Sequence, residues 1–227
     1  MKLWNYKGQQ NSISEALQLS IPEHAVICIS GAGGKTSLVF AWAHELAAAG
    51  KKVAVTTTTH MGSDQCDIND EGICAVVYPD PNKPGKVIGP SIEEIKKLAE
   101  QYDAVFIEAD GARHMPLKWP ADYEPVIPDF TDISVCVAGL SALGQPCDEV
   151  IYRAEYLPQA ILGGKTTVDE QLIFALLTSP DGGRKSDRGD FRIFLNQTDT
   201  KELQEKSEHL QKTFAVCGIQ SAWGTMK

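Results

Sequence analysis

Lys35 and Thr36 follow the glycine-rich run Gly31-Ala32-Gly33-Gly34 and precede Ser37. Glycine has no side chain to obstruct an oxyanion and takes positive φ readily, so such a run lets backbone N–H groups converge on a phosphate. A helix opening directly after the glycines adds free N–H groups and the positive end of its dipole. In that setting the lysine ammonium reaches the β and γ phosphates and the threonine hydroxyl sits on magnesium, the division of labour in a P-loop. The chemistry such a loop would serve is binding of a nucleoside triphosphate with Mg, followed by hydrolysis or phosphoryl transfer; a plain strand-to-helix turn is the alternative. The full pattern G-x-x-x-x-G-K-[ST] needs glycine where this chain has Ile29, so the loop is a shortened one that begins at Gly31.

Further segments carry groups that suit such a site. Glu108-Ala109-Asp110-Gly111 ends an apolar run, placing two carboxylates where magnesium could be held directly or through water; an acidic turn is the plain alternative. Lys35, Glu108 and Asp110 are the catalytic candidates, and Thr36, Glu108 and Asp110 the metal candidates. Asn196-Gln197-Thr198-Asp199 resembles the guanine-reading N-K-x-D motif, with Gln197 in place of the lysine, and Ser221-Ala222 resembles the element that contacts guanine O6. An ordinary Asn/Asp helix cap is the alternative there. Thr58, Thr59 and His60 end a threonine-rich strand, and Arg113 and Lys118 lie in a long loop; all five are candidates for holding a substrate anion, against β propensity and solvated charge. His60, Cys66 and Asp67 lack the spacing of a transition-metal site. A second Gly163-Gly164-Lys165-Thr166 follows helical rather than strand-like residues and reads as a helix-to-helix turn.

The elements that must position these groups alternate. A strand at 25–30 runs into a helix ending at Ala49 and Gly50, and the pattern predicts a parallel strand at Lys52–Thr57 beside the glycine-loop strand. Positions 61–90 form an irregular excursion with a small hairpin (Ala75–Tyr78, Lys86–Gly89). A capping box at Ser91 starts a helix to Gln101, which feeds the strand Ala104–Glu108. After a long loop to Thr131 come a strand at Ile133–Val137, helices near Glu155–Leu162 and Val168–Leu177 (the second capped by Thr167), a strand at Phe191–Leu195, a polar helix Lys201–Thr213 and a last strand Ala215–Ile219. The expected fold is α/β, a P-loop NTPase-like open, mostly parallel sheet with helices on both faces, forming a single domain over 1–227. Ligands of such sheets lie beyond the carboxyl ends of the strands.

The 227 residues are 43% hydrophobic, an ordinary globular share. Thirty acidic against twenty-one Lys and Arg residues give a formal net charge of −9. That argues against nonspecific binding to nucleic acid or an anionic membrane, since no excess positive field gathers phosphates. No stretch approaches the ~20 apolar residues of a membrane span and the N-terminus lacks a signal-peptide core, so a cytoplasmic protein is expected. Six cysteines without C-x-x-C spacing, three of them inside apolar strand patterns, read as reduced core residues.

Together, Gly31-Ala32-Gly33-Gly34-Lys35-Thr36, Thr57-Thr58-Thr59-His60, Glu108-Ala109-Asp110-Gly111-Ala112-Arg113, Pro116-Leu117-Lys118 and Glu124-Pro125-Val126-Ile127-Pro128 resemble the YqeC family over nearly the whole chain. The resemblance implies a P-loop accessory protein linked to selenium-dependent molybdenum hydroxylases and selenium cofactor biosynthesis. Glu108 to Gly111 also looks like the third motif of metallochaperone GTPases. Two functions stay open: an Mg-dependent NTP hydrolase or phosphoryl transferase acting on a cofactor precursor, and a nucleotide-gated chaperone that binds a partner hydroxylase with little intrinsic catalysis. GTP and ATP are both compatible with the residues.

Overall fold

The computed structural model describes residues 1–62 and 72–226. In chain order the strands and helices are β1 (Lys2–Asn5), β2 (Gly8–Gln10), α1 (Ile13–Leu17), β3 (Ala25–Gly31), α2 (Lys35–Ala48), β4 (Val53–Thr57), β5 (His60–Gly62), β6 (Ile73–Ala75), β7 (Tyr78–Pro79), β8 (Lys86–Ile88), α3 (Ile92–Gln101), β9 (Ala104–Glu108), β10 (Leu117–Lys118), β11 (Ile133–Gly139), α4 (Cys147–Val150), β12 (Ile151–Tyr152), α5 (Gln159–Leu162), α6 (Glu170–Thr178), β13 (Asp190–Asn196), α7 (Lys201–Val216) and β14 (Ser221–Thr225). Among the described residues they make a nine-stranded sheet ordered β2-β1-β14-β13-β11-β3-β9-β4-β6, parallel from β14 to β6. The expected open α/β sheet with helices on both faces is the fold observed. No helix among the described residues is long and apolar enough to cross a membrane.

The sequence explains the sheet's interior. In β3 the residues Ile27 and Ile29 face α1 and α2, while Val26 and Cys28 face α3, so the strand is apolar on both sides as parallel strands under two helix layers must be. Helix α2 is held on one face by Trp42, whose ring meets Phe106 of β9 edge-on at 5.4 Å, both fully buried. Burying each such side chain contributes roughly 1.5 to 3 kcal/mol. The Trp42 indole N–H donates to Ser14 Oγ at 2.9 Å, and Glu45 of α2 accepts from the Ile13 and Ser14 N–H groups. The N-terminus of α1 is thereby capped from the neighbouring helix.

Several expectations change. β4 pairs with β9 and β6, so β9 lies between β4 and the glycine-loop strand that β4 was expected to flank. Residues at 215–219 end α7 and turn, with Gly218 at φ +72°; the last strand is Ser221–Thr225. Ser221 and Ala222 therefore start that strand and lie inside the sheet opposite Ile193 and Phe194, 4% and 0% exposed. The helix expected at Glu155–Leu162 is a 3-10 turn and the short α5, and α6 is capped by Asp169, whose side chain accepts from Leu172 N–H, rather than by Thr167. The excursion builds a three-stranded sheet, β5-β8-β7, in place of the expected two-stranded hairpin. An N-terminal hairpin, β1 and β2, extends the main sheet, with Trp4 stacked on Trp223 at 4.4 Å. Cys66 and Asp67 lie outside the described residues; Cys28 and Cys136 sit buried in β3 and β11.

Candidate functional site

Strand register brings the candidate residues to one edge. Ile29 of β3 stands opposite Glu108 of β9, and Glu108 opposite Thr57 of β4, so β9 and β4 end level while β3 runs two residues further, to Gly31. The chain leaves β3 through Gly31 to Gly34 and enters α2 at Lys35, with Gly34 as N-cap at φ +112°. Gly33, at φ +80°, lies against Gly139 and Pro116 so closely that a Cβ would meet Gly139 Cα at 2.6 Å and Pro116 O at 2.8 Å. No other residue fits that position without moving backbone.

The N–H groups of the loop divide into two sets. Gly31 donates to Asp110 Oδ2 at 3.2 Å, Ala32 to Val137 O at 2.9 Å and Gly33 to Met115 O at 3.1 Å. The expected phosphate cradle over the whole loop is therefore shortened: Gly31, Ala32 and Gly33 anchor the loop to β11 and to the segment after β9. The anion-facing donors are left to Gly34, Lys35, Thr36 and Ser37, which open a helix and have no carbonyl four residues back within it.

Lys35 and Thr36 both face carboxylates. Lys35 Nζ donates to Gly31 O at 2.8 Å and lies 3.4 Å from Asp110 and 4.0 Å from Glu108. The Thr36 hydroxyl donates to Glu108 Oε2 at 2.7 Å. Burial raises the Glu108 pKa above the ordinary carboxylate range against the opposing pull of Lys35 and Thr36. A hydroxyl and a carboxylate this close, next to a helix N-terminus, are hard oxygen donors of the kind magnesium takes, one or two from protein and the rest from phosphates and water. Among the described residues no group of three His, Cys, Asp or Glu side chains forms a metal cage.

Lys118 lies in the interior beside both Asp110 and Glu124. Its ammonium, expected to clamp a substrate anion, is buried and donates to Gly111 O at 2.7 Å, with Asp110 at 2.9 Å and Glu124 at 2.7 Å. Its three N–H groups are matched by three acceptors, leaving none for a ligand. Arg153 continues the series at 2.5 Å from Glu124 and stacks over Tyr152. Three cations, Lys35, Lys118 and Arg153, thus interleave with Glu108, Asp110 and Glu124 from the loop to the surface. Burial works to raise the Glu124 pKa, but Lys118 and Arg153 outweigh it and hold the group below the ordinary range. In the sequence Glu124 stood out only as the start of the Glu124 to Pro128 motif, with no role attached, and Arg153 not at all.

A cavity of about 400 Å³ opens over the loop, lined by Gly33 to Ser37, Glu108, Arg113 and Gln197, with Lys86, His60 and His114 at its sides. Arg113 stays a candidate for an anion there. Thr58 and Thr59 line a separate cavity that shares His60, and the Thr58 hydroxyl donates to Val126 O. Asn196 is fully buried and bridges the ends of three segments: its Nδ2 donates to Gly33 O at 2.7 Å and its Oδ1 accepts from Met226 N–H at 2.9 Å. It positions the loop. Asp199 lines a different cavity with Trp4 and Thr225, so the structure does not bring Asn196, Asp199, Ser221 and Ala222 together around one base site. Gly163 to Thr166 form a turn after α5, with Lys165 paired to Asp169 at 2.6 Å. Burial pushes the Cys28 and Cys136 thiols up to about 12, so neither is a nucleophile at neutral pH.

The profile of the YqeC family, described as YqeC protein, matches residues 27–155, from β3 through Glu155. A protein of Escherichia coli (strain K12) described as uncharacterized protein YqeC is 30% identical over 219 residues, covering 87% of this chain and 86% of that protein. The chain belongs to the YqeC family. The matched span contains the glycine loop, both carboxylates at the end of β9, and the Lys118, Glu124 and Arg153 series; Asn196 falls outside it.

Proposed function

We propose that this YqeC protein binds a nucleoside triphosphate, GTP or ATP, with Mg, and hydrolyses it or transfers its terminal phosphoryl group. The observation that carries the reading is the Thr36 hydroxyl 2.7 Å from Glu108, with Lys35 beside both carboxylates at the mouth of a glycine loop. The helix N-terminus after Gly34 receives the phosphates, and Lys35 exchanges its hold on Gly31 O for phosphate oxygens. Thr36 and Glu108 would hold the metal, which supplies charge neutralisation at the leaving oxygens. Asp110, fixed by Lys118 and Gly31 N–H, keeps Lys35 aimed at the mouth. Arg113 adds a surface cation for the anion.

A second reading draws support from the interleaved charges running from Lys35 to Arg153. A phosphate that recruits Lys35 changes what Asp110 and Lys118 must balance, and Glu124 and Arg153 carry that change to the loop around exposed Tyr123. Such a protein would gate a partner by nucleotide state, and the family resemblance points to a selenium-dependent molybdenum hydroxylase or its cofactor precursor as that partner. Single-turnover hydrolysis of Mg·GTP and Mg·ATP, with proteolysis of the loop at 113–128 as a second observable, separates the readings. For the enzyme, Glu108→Gln lowers turnover at least tenfold with nucleotide still bound; for the gate, turnover is slow throughout and protection of the loop is lost. No effect on either overturns the assignment of Glu108.

A further inference from the structure

Two cavities open at the carboxyl ends of β4 and β9, separated by the strand end and sharing His60. Consecutive residues serve different sides: Glu108 faces the cavity over the glycine loop and Ala109 lines the second one. Their chemistry differs. The first carries Lys35, Lys86 and Arg113 and suits an anion. The second, also about 400 Å³, has no lysine or arginine in its lining among the described residues. Its walls are apolar, from Ile88, Pro90, Ile92 and Val126, with the exposed ring of Tyr123 at the rim. Its polar groups are Thr58, Thr59, Ser91, His60 and the Glu124 carboxylate, whose partners Lys118 and Arg153 do not line it.

We propose that this second cavity binds a second organic ligand of the triphosphate-dependent reaction: an uncharged molecule with a ring-sized apolar body and hydrogen-bond donors. Apolar walls with a few fixed polar groups, in a volume between ~300 and 1,000 Å³, are the usual makeup of a small-molecule site. An anion entering it would lose water beside Glu124 without gaining a cation, whereas an amide or hydroxyl donor finds acceptors in Glu124 and the threonine hydroxyls. The position sets this ligand across the tip of β9 from the phosphates. Glu124 also ties the two cavities together, through Lys118 to Asp110 and Lys35. The inference rests on the nucleotide reading of the first cavity, and its test is chosen to fail separately.

The probes are benzamide as the neutral ring, benzoate as its anionic counterpart, and Mg·tripolyphosphate for the first cavity, each followed by saturation-transfer NMR or calorimetry on the full chain. The expected result is that benzamide binds at least fivefold more tightly than benzoate and is not displaced by tripolyphosphate. Thr59→Trp, which fills the cavity, lowers benzamide affinity at least fivefold, and Tyr123→Ala, at the exposed rim where folding is not at stake, lowers it at least twofold. Lys165→Ala, which lines neither cavity, leaves benzamide binding unchanged. The proposal is overturned if benzamide does not bind, if benzoate binds as well, if tripolyphosphate displaces benzamide, or if Tyr123→Ala and a folded Thr59→Trp both bind it as the parent does. Failure of tripolyphosphate to bind the parent protein would instead refute the nucleotide reading, whatever benzamide does.

Discussion

Replacing Lys118 by methionine keeps the length and apolar stem of the side chain and removes only its charge. In the parent protein that charge lies 2.9 Å from Asp110 and 2.7 Å from Glu124, with side-chain exposures of 1%, 2% and 11%. Removing one partner of a buried ion pair costs ~3 to 5 kcal/mol, because the remaining charge has neither water nor counterion. The two carboxylates fare differently. Glu124 keeps Arg153 at 2.5 Å, whereas Asp110 is left with Lys35 at 3.4 Å and the Gly31 N–H at 3.2 Å. The loss should therefore sit near the lower end, about 3 kcal/mol. For a chain of this size ~2 to 4 °C accompany each kcal/mol, so melting should fall by about 6 to 12 °C. Circular dichroism melts and urea titration measure it, and Asp110→Asn in the same background should recover at least half, since the stranded charge is then gone. A melting point within about 2 °C of the parent, together with weakened tripolyphosphate binding, would falsify the structural role and restore Lys118 as an anion clamp.

Gly33→Ala should abolish triphosphate binding while the protein still melts cooperatively, because the added Cβ meets Gly139 and Pro116 backbone and forces the loop to shift; native affinity in calorimetry would show that the loop tolerates other shapes. Asp199→Asn should leave the ratio of GTP to ATP affinity within about twofold, since a change of selectivity that small is under ~0.4 kcal/mol and Asp199 lines a cavity away from the loop; a swing toward xanthosine triphosphate would reinstate Asp199 as a base reader. Acid stability should report Glu124. With its folded pKa held below the ordinary glutamate value of 4.5, its contribution is fully present above 4.5 and is lost as pH falls through the lower folded value. Glu124→Gln should therefore flatten the fall of stability below pH 4.5, and an unchanged slope in acid titration of the unfolding free energy would discount the ion-pair series.

The glycine loop was legible because an unbroken apolar strand, four small residues and a helix-forming run follow one another, a change of period that short propensities seldom imitate. The end of β9 was legible for the same reason, since Ala104 to Ile107 deliver Glu108 at a fixed distance from a glycine. The last strand was not. Ala215 to Ile219 contain β-branched and sulfur residues, yet the α7 pattern carries Phe214 into the core and Gly218 closes the helix at positive φ, while Ser221-Ala222-Trp223-Gly224-Thr225 has weak strand propensity and is a strand because β13 and β1 pair with it on both sides. The N-terminal hairpin was hidden likewise, its strands being three or four residues long and fixed by the stack of Trp4 on Trp223. Lys118 looked like any loop lysine because the carboxylates that bury it, Asp110 and Glu124, come from positions whose convergence is tertiary.

Calorimetry of Mg·GTP and Mg·ATP on the parent protein, Lys35→Ala and Lys165→Ala bears most directly on the glycine loop as a triphosphate site. Losing a charge-assisted phosphate contact costs ~1.5 to 3 kcal/mol, so Lys35→Ala should weaken binding by about 10- to 150-fold with the melting transition retained. Lys165, paired to Asp169 on the turn after α5, should be replaceable without effect. Unchanged affinity in Lys35→Ala, or an equal loss in Lys165→Ala, would contradict the account.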